Sequence, residues 1–144
     1  MFSIWAQSFQ PIALNALRIM AAFLFMPHGA QKLLGWFTEN PQAVELLSIR
    51  GLAGVIELFG GLLIFIGLFT RPVAFIAAGE MAVAYFWRHL PNGFWPVENR
   101  GELAALYCFA FLLIWAYGPG RFSLDGWLER RRAAAAAAEK PGGA

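Results

Sequence analysis

A single cysteine, Cys108, stands in a chain of 144 residues, and that scarcity excludes much. Neither an internal disulfide framework nor a Cys-x-x-Cys redox pair can form within the chain. One cysteine and two histidines also fall short of the ligand sets that hold haem or iron–sulfur clusters. Charge is scarce too. Asp, Glu, Lys and Arg make up 14% of the residues, against about 25% in an ordinary soluble domain. The N-terminus has no Lys/Arg-rich start of the kind that opens a cleavable signal peptide, so the first apolar segment is expected to stay attached. Nor is there a basic surface suited to nucleic acid. The one run, Arg130-Arg131-Arg132, follows the last apolar stretch and reads as an orientation signal beside a membrane.

What the chain does hold is apolar. Hydrophobic residues reach 59%, and the mean hydropathy is +0.55. Lipid bilayer is the expected solvent. The stretch Gly51 to Phe69 organises the rest: it is long enough to cross a hydrocarbon core and carries Glu57 well inside it. Ala53, Gly60 and Gly67 recur every seven positions on the helical face of Glu57, marking them as expected helix-packing positions.

The expected fold is all-α, an integral membrane four-helix bundle with spans at about 12–34, 51–69, 72–89 and 101–117. Residues 1–11 read as an N-terminal interfacial segment, and 121–144 as a cytoplasmic interfacial segment with a flexible Ala-rich tail. Thr70-Arg71-Pro72 is a turn so short that the spans on either side must lie antiparallel as neighbours. Four spans put both termini on one side. Arg71, Arg121 and the Arg130–Arg132 run share that side, which the positive-inside rule makes cytoplasmic.

Depth arithmetic then gathers the polar residues. His28, Glu57 and Tyr107 each lie about six residues, roughly 9 Å, below the outer edge of their helices. Glu80 is deeper, at about ten residues or roughly 15 Å. Gln31 and Lys32 share the face of His28, while Lys32, Arg88, His89 and Glu102 would ring the mouth above. This predicts an outer-half polar pocket with His28 hydrogen-bonded to Glu57 and Glu80 as a deeper acid. Intramembrane acids of this kind carry protons in many membrane proteins. The plainer explanation of the same residues is a polar staple that fixes helix register. Near the inner edge, Arg18 is expected to snorkel or pair locally. Cys108 reads as a small packing residue, and no metal site is expected.

The residues also carry a resemblance. Arg18, Pro27-His28-Gly29-x-Gln31-Lys32-Leu33, Glu57-Leu-Phe-Gly60-Gly61, Arg71-Pro72, Asn92-Gly93-Phe94, Gly101-Glu102-Leu103 and Gly118-Pro119-Gly120-x-x-Ser123-Leu124-Asp125, in that order, resemble the DoxX family. The resemblance covers about residues 12 to 127. It implies a four-helix protein of the bacterial plasma (inner) membrane. The related DoxD proteins are the membrane subunit of a thiosulfate:quinone oxidoreductase, and some DoxX members are similar to components of oxidoreductase complexes that handle thiol stress.

The expectation is therefore a membrane component of a quinone- or thiol-linked oxidoreductase system. Any enzymatic role would be that of a subunit, not of an independent catalyst. His28, Glu57 and Glu80 would manage protons. Lys32, Gln31, Arg88, Glu102 and Tyr107 would line the substrate position, with a quinone as the one cofactor worth testing. A soluble or membrane redox partner is expected, and a homo-oligomer stays open. The alternative is a non-enzymatic scaffold or assembly factor that grips a partner's helix by its glycine-rich face.

Overall fold

The computed structural model describes residues 2–39 and 44–138, with side chains from residue 7 onward. Every regular element among the described residues is helical. Helix α1 (Phe2–Leu34) runs unbroken through Pro11 and Pro27. The expected helix start near residue 12 is thus corrected: residues 2–10 continue the same helix. A proline removes the hydrogen bond its nitrogen would donate and crowds the carbonyl four residues back, yet a helix can run on through it. Asn15 Nδ2 donates to the Pro11 carbonyl at 2.7 Å.

Helix α2 (Ile49–Ile66) starts at Ser48, whose hydroxyl accepts from Gly51 N at 3.0 Å. Its middle turn, Ile56–Gly60, is π-helical. The helix ends earlier than residue 69, because Gly67 adopts φ +74° and Phe69 φ +50°. Gly67 is therefore the left-handed residue that terminates α2 and not a packing position within it. Helix α3 (Thr70–Ala84) continues through a second π turn, Tyr85–His89, and a 3₁₀ turn, Leu90–Asn92. The short α4 (Pro96–Asn99) leads to α5 (Glu102–Tyr117), and α6 is Leu124–Ala138. The alanine run expected to fray is helical through Ala138, as alanine's propensity favours; the rest of the tail lies outside the described residues.

α1 packs along α2, and α3 along α5. Phe25, Ile64, Phe111 and Ile114 are fully buried where the two pairs meet, with Ala74, Ala77 and Ala78 keeping α3 close. The outward face is as apolar as the core: Phe23, Leu24, Phe59, Leu62, Phe75, Ile76, Leu106 and Phe109 are all exposed. Such a girdle is a liability in water and the natural surface in lipid.

The α1–α2 contact is a glycine contact, made at Gly29, Gly54 and Gly61. A Cβ on Gly54 would meet Leu33 Cγ at 2.8 Å, and one on Gly61 would meet Met26 Cγ at 2.7 Å. Gly60 faces α3 instead, at Val73. Gly29 on α1 is the tightest of these positions. Its Cβ would run into Leu58 N, the Gly54 carbonyl at 2.7 Å and Leu58 Cβ at 2.8 Å. Two of those atoms are backbone and cannot rotate away. Gly29→Ala should therefore push α1 off α2 and cost about 1–3 kcal/mol. Thermal unfolding in detergent checks it, and an unchanged midpoint would mean that the helices are not in this close contact.

Candidate functional site

The first half of the site is an ion pair between spans. Lys32, on the last turn of α1, places Nζ against Glu57 Oε1 on α2. The helices can approach this closely because Gly29 and Gly54 have no side chains to hold them apart. The Glu57 side chain is 3% exposed and that of Lys32 26%. The carboxylate is thus fully enclosed, and the ammonium reaches it from the end of α1 along its own methylene stem. The π turn Ile56–Gly60 carries Glu57. Single π turns inside α-helices recur at functional positions, where the extra residue re-aims a side chain.

Around this pair stand Glu80, His28 and Tyr107. Glu80 of α3 interacts electrostatically with both Glu57 and Lys32. His28 and Tyr107 each interact with Glu57. The His28 ring meets the Tyr107 ring edge-on at 6.4 Å, and Tyr107 stacks on Phe111 at 5.7 Å. Four helices therefore contribute to one cluster. Its two acids are incompletely paired: among the described residues, Glu57 Oε2 and Glu80 Oε2 are buried without a hydrogen-bond partner. No group of three His, Cys, Asp or Glu side chains among the described residues could hold a metal ion.

The arrangement differs from expectation in its pairing. Glu57 takes Lys32 and not His28 as its hydrogen-bond donor, and His28 acts on it only through its charge. Lys32 is accordingly not a free cation at the mouth. Gln31 and Arg88 point outward and are exposed. Glu102 is exposed as well and lines a separate cavity of about 390 Å³ with Val97, Arg100, Leu103 and Leu106. His89 is held by its ring nitrogen Nδ1 at 3.1 Å from the Asn99 carbonyl. So His28, Lys32, Glu57, Glu80 and Tyr107 come together, and Gln31, Arg88 and Glu102 do not join them.

A second polar centre, at the opposite end of the molecule, escaped the sequence reading. Arg18 is 1% exposed and does not snorkel. Its Nη1 donates to the carbonyls of Ile64 at 2.5 Å and Phe65 at 2.6 Å, and its Nη2 to that of Phe122 at 2.7 Å. Ile64 and Phe65 belong to the last turn of α2, at the negative end of the helix dipole, where Ile64 also accepts from the capping Gly67 N at 3.1 Å. Asn15 Oδ1 accepts from Phe122 N at 3.3 Å. Asp125 in turn accepts from Phe69 N at 3.0 Å and Thr70 N at 2.9 Å, capping the start of α3. Ser123 caps α6 by accepting from Gly126 N at 3.1 Å. The Gly118-Pro119-Gly120-x-x-Ser123-Leu124-Asp125 segment is thus a clasp. The signal that could have exposed it was a lone arginine in an apolar span whose partners must be sought among carbonyls.

The family described as DoxX matches the chain over residues 13–90. A Haemophilus influenzae protein, itself described as uncharacterized, is 42% identical over 127 residues, covering 83% of this chain and 92% of that protein. An uncharacterized membrane protein of Mycobacterium tuberculosis is 30% identical over 145 residues, covering 88% of each chain. No solved structure matches the chain.

Proposed function

The chain belongs to the DoxX family of membrane proteins, and from that premise we propose that it serves as the membrane component of a quinone- or thiol-linked oxidoreductase system. In this reading four helical spans, α1, α2, α3 and α5, cross the bacterial inner membrane, with both termini in the cytoplasm. The basic residues Arg71, Arg121 and Arg130–Arg132 at one end support that orientation. The chain supplies no redox centre of its own: its part is to hold and move the protons that accompany electron transfer at a partner or a quinone head group.

The observation that carries this reading is the Lys32–Glu57 pair with Glu80 beside it. Two carboxylates facing one ammonium leave one negative charge over, and in an apolar interior a proton is the simplest counter-ion. The bare oxygens Glu57 Oε2 and Glu80 Oε2 are where that proton would sit. His28 and Tyr107 would extend the path toward the outer surface. A structural staple alone has no use for a second acid at this depth, since intramembrane charges are expensive to keep.

The scaffold alternative has less to stand on. The glycine face it would offer a partner's helix is occupied within the molecule, by Val73 at Gly60 and by Met26 at Gly61. The test is quinone-linked oxidation of thiosulfate or of a thiol, measured in membranes from cells whose own copy is deleted and then restored by variants. Glu80→Gln keeps the shape and removes the second acid, and should lower the rate about tenfold or more, the scale of a lost proton-transfer group, with insertion unchanged. A full rate from properly inserted Glu80→Gln would overturn the proton-handling role.

A further inference from the structure

Three arginines meet at the opposite end of the helices from the charge cluster, around a cavity of about 480 Å³. Arg71 comes from the start of α3, Arg121 from the segment after α5, and Arg130 from α6. Glu129 is the one carboxylate on its wall, and Tyr117 and Gly120 close the rest. Counting these side chains, three positive charges face one negative. Arg71 is not loose. Its Nη1 donates to the carbonyls of Trp115 at 2.9 Å and Ala116 at 3.1 Å, which pins the guanidinium at the end of α5. Arg130 Nη1 donates to the Arg121 carbonyl at 3.2 Å, drawing α6 across the opening. Each guanidinium keeps further N–H groups unspent in these contacts.

Next in sequence to the lining residues Arg121, Gly126 and Arg130 stand Phe122, 69% exposed, Trp127, 46% exposed, and Arg131, whose guanidinium lies 4.6 Å over the Trp127 ring. Aromatic side chains beside clustered arginines, at the end of apolar helices, are what a membrane–water boundary selects. A bilayer puts phosphodiester groups at this level, and guanidinium forks match phosphate oxygens in shape and charge.

We propose that this cavity is a phosphate site filled by the headgroup of an anionic phospholipid, gripped by Arg71, Arg121 and Arg130. The lipid's acyl chains would lie along the apolar face beside it. Glu129 tunes the site by opposing part of the charge. The proposal rests on the chain being a membrane protein and is independent of what the Glu57 cluster does.

The test compares the full chain, purified in detergent, for retention of phosphatidylglycerol against phosphatidylcholine by native mass spectrometry. The unaltered chain should retain phosphatidylglycerol about tenfold better, and Arg121→Gln/Arg130→Gln should abolish the preference, on the scale of two arginines at a lipid surface. Arg71 is left in place because it caps α5. Glu129→Gln, which removes the opposing charge, should raise the preference. Equal retention of the two lipids, or a preference that survives the double variant, would overturn the proposal. So would full displacement of phosphatidylglycerol by inorganic phosphate at millimolar concentration, which would assign the cavity to a free anion instead.

Discussion

Arg18→Leu should lower the melting midpoint of the protein in detergent by about 10 °C or more. The guanidinium is buried and bridges three carbonyls, those of Ile64, Phe65 and Phe122, from two separate parts of the chain. Leucine fills much of the same space but strands the Phe65 and Phe122 carbonyls, at about 1–3 kcal/mol each, while Ile64 keeps its bond from Gly67 N. It also removes the only cation on the negative end of the α2 dipole among the contacts described for that turn. Arg18→Lys keeps the charge and loses the fork, so it should fall between the two: one ammonium cannot donate in the spread directions that these three carbonyls occupy. A midpoint for Arg18→Leu within a degree or two of the unaltered chain would show that Arg18 is solvated.

Lys32→Met is the second large effect, and it is recognised by its rescue. Removing the ammonium leaves Glu57 enclosed beside Glu80 with no positive charge between them. Stranding one member of a buried pair costs about 3–5 kcal/mol, whereas replacing both with neutral groups of similar shape is often nearly neutral. Lys32→Met/Glu57→Gln should therefore be more stable than Lys32→Met alone, though it carries two changes. Equilibrium unfolding of the four proteins in the cycle gives the coupling directly. Additive effects would mean that the two side chains do not meet. The same double variant should remain inactive in quinone-linked turnover, which separates a stabilising pair from a working one.

Much of the cluster could be located by counting helical turns. His28, Glu57 and Tyr107 lie at one depth and Glu80 a turn deeper by a fixed rise per residue, so their approach to one another could be read before any contact was known. The identity of Glu57's partner could not, because Lys32 reaches it by a stem whose direction depends on packing. Which neighbour each glycine meets was not legible either, because a seven-residue spacing marks a face and not the helix that packs on it. Gly60 meets α3, Gly54 and Gly61 meet α1, and Gly67, at φ +74°, ends α2. The π turn at Ile56–Gly60 has no compositional signature. For Arg18 the local pairing holds, with Nη2 3.5 Å from Asn15 Oδ1, but its three long-range acceptors are main-chain groups, which every sequence has and none advertises. The start of α1 at Phe2 was not legible because Pro11 resembles a first-turn residue, although a helix can run on through a proline.

The clasp at Arg18 has a bearing on how the molecule is made. Arg18 leaves the ribosome early, and its last acceptor, the carbonyl of Phe122, arrives 104 residues later. Until then a positive charge must wait inside a nascent hairpin with its coordination incomplete. Closure of so long a loop comes late in assembly. A translation product stopped short of residue 122 would therefore carry an unfinished arginine at its centre, so the fold closes only once that segment has been made.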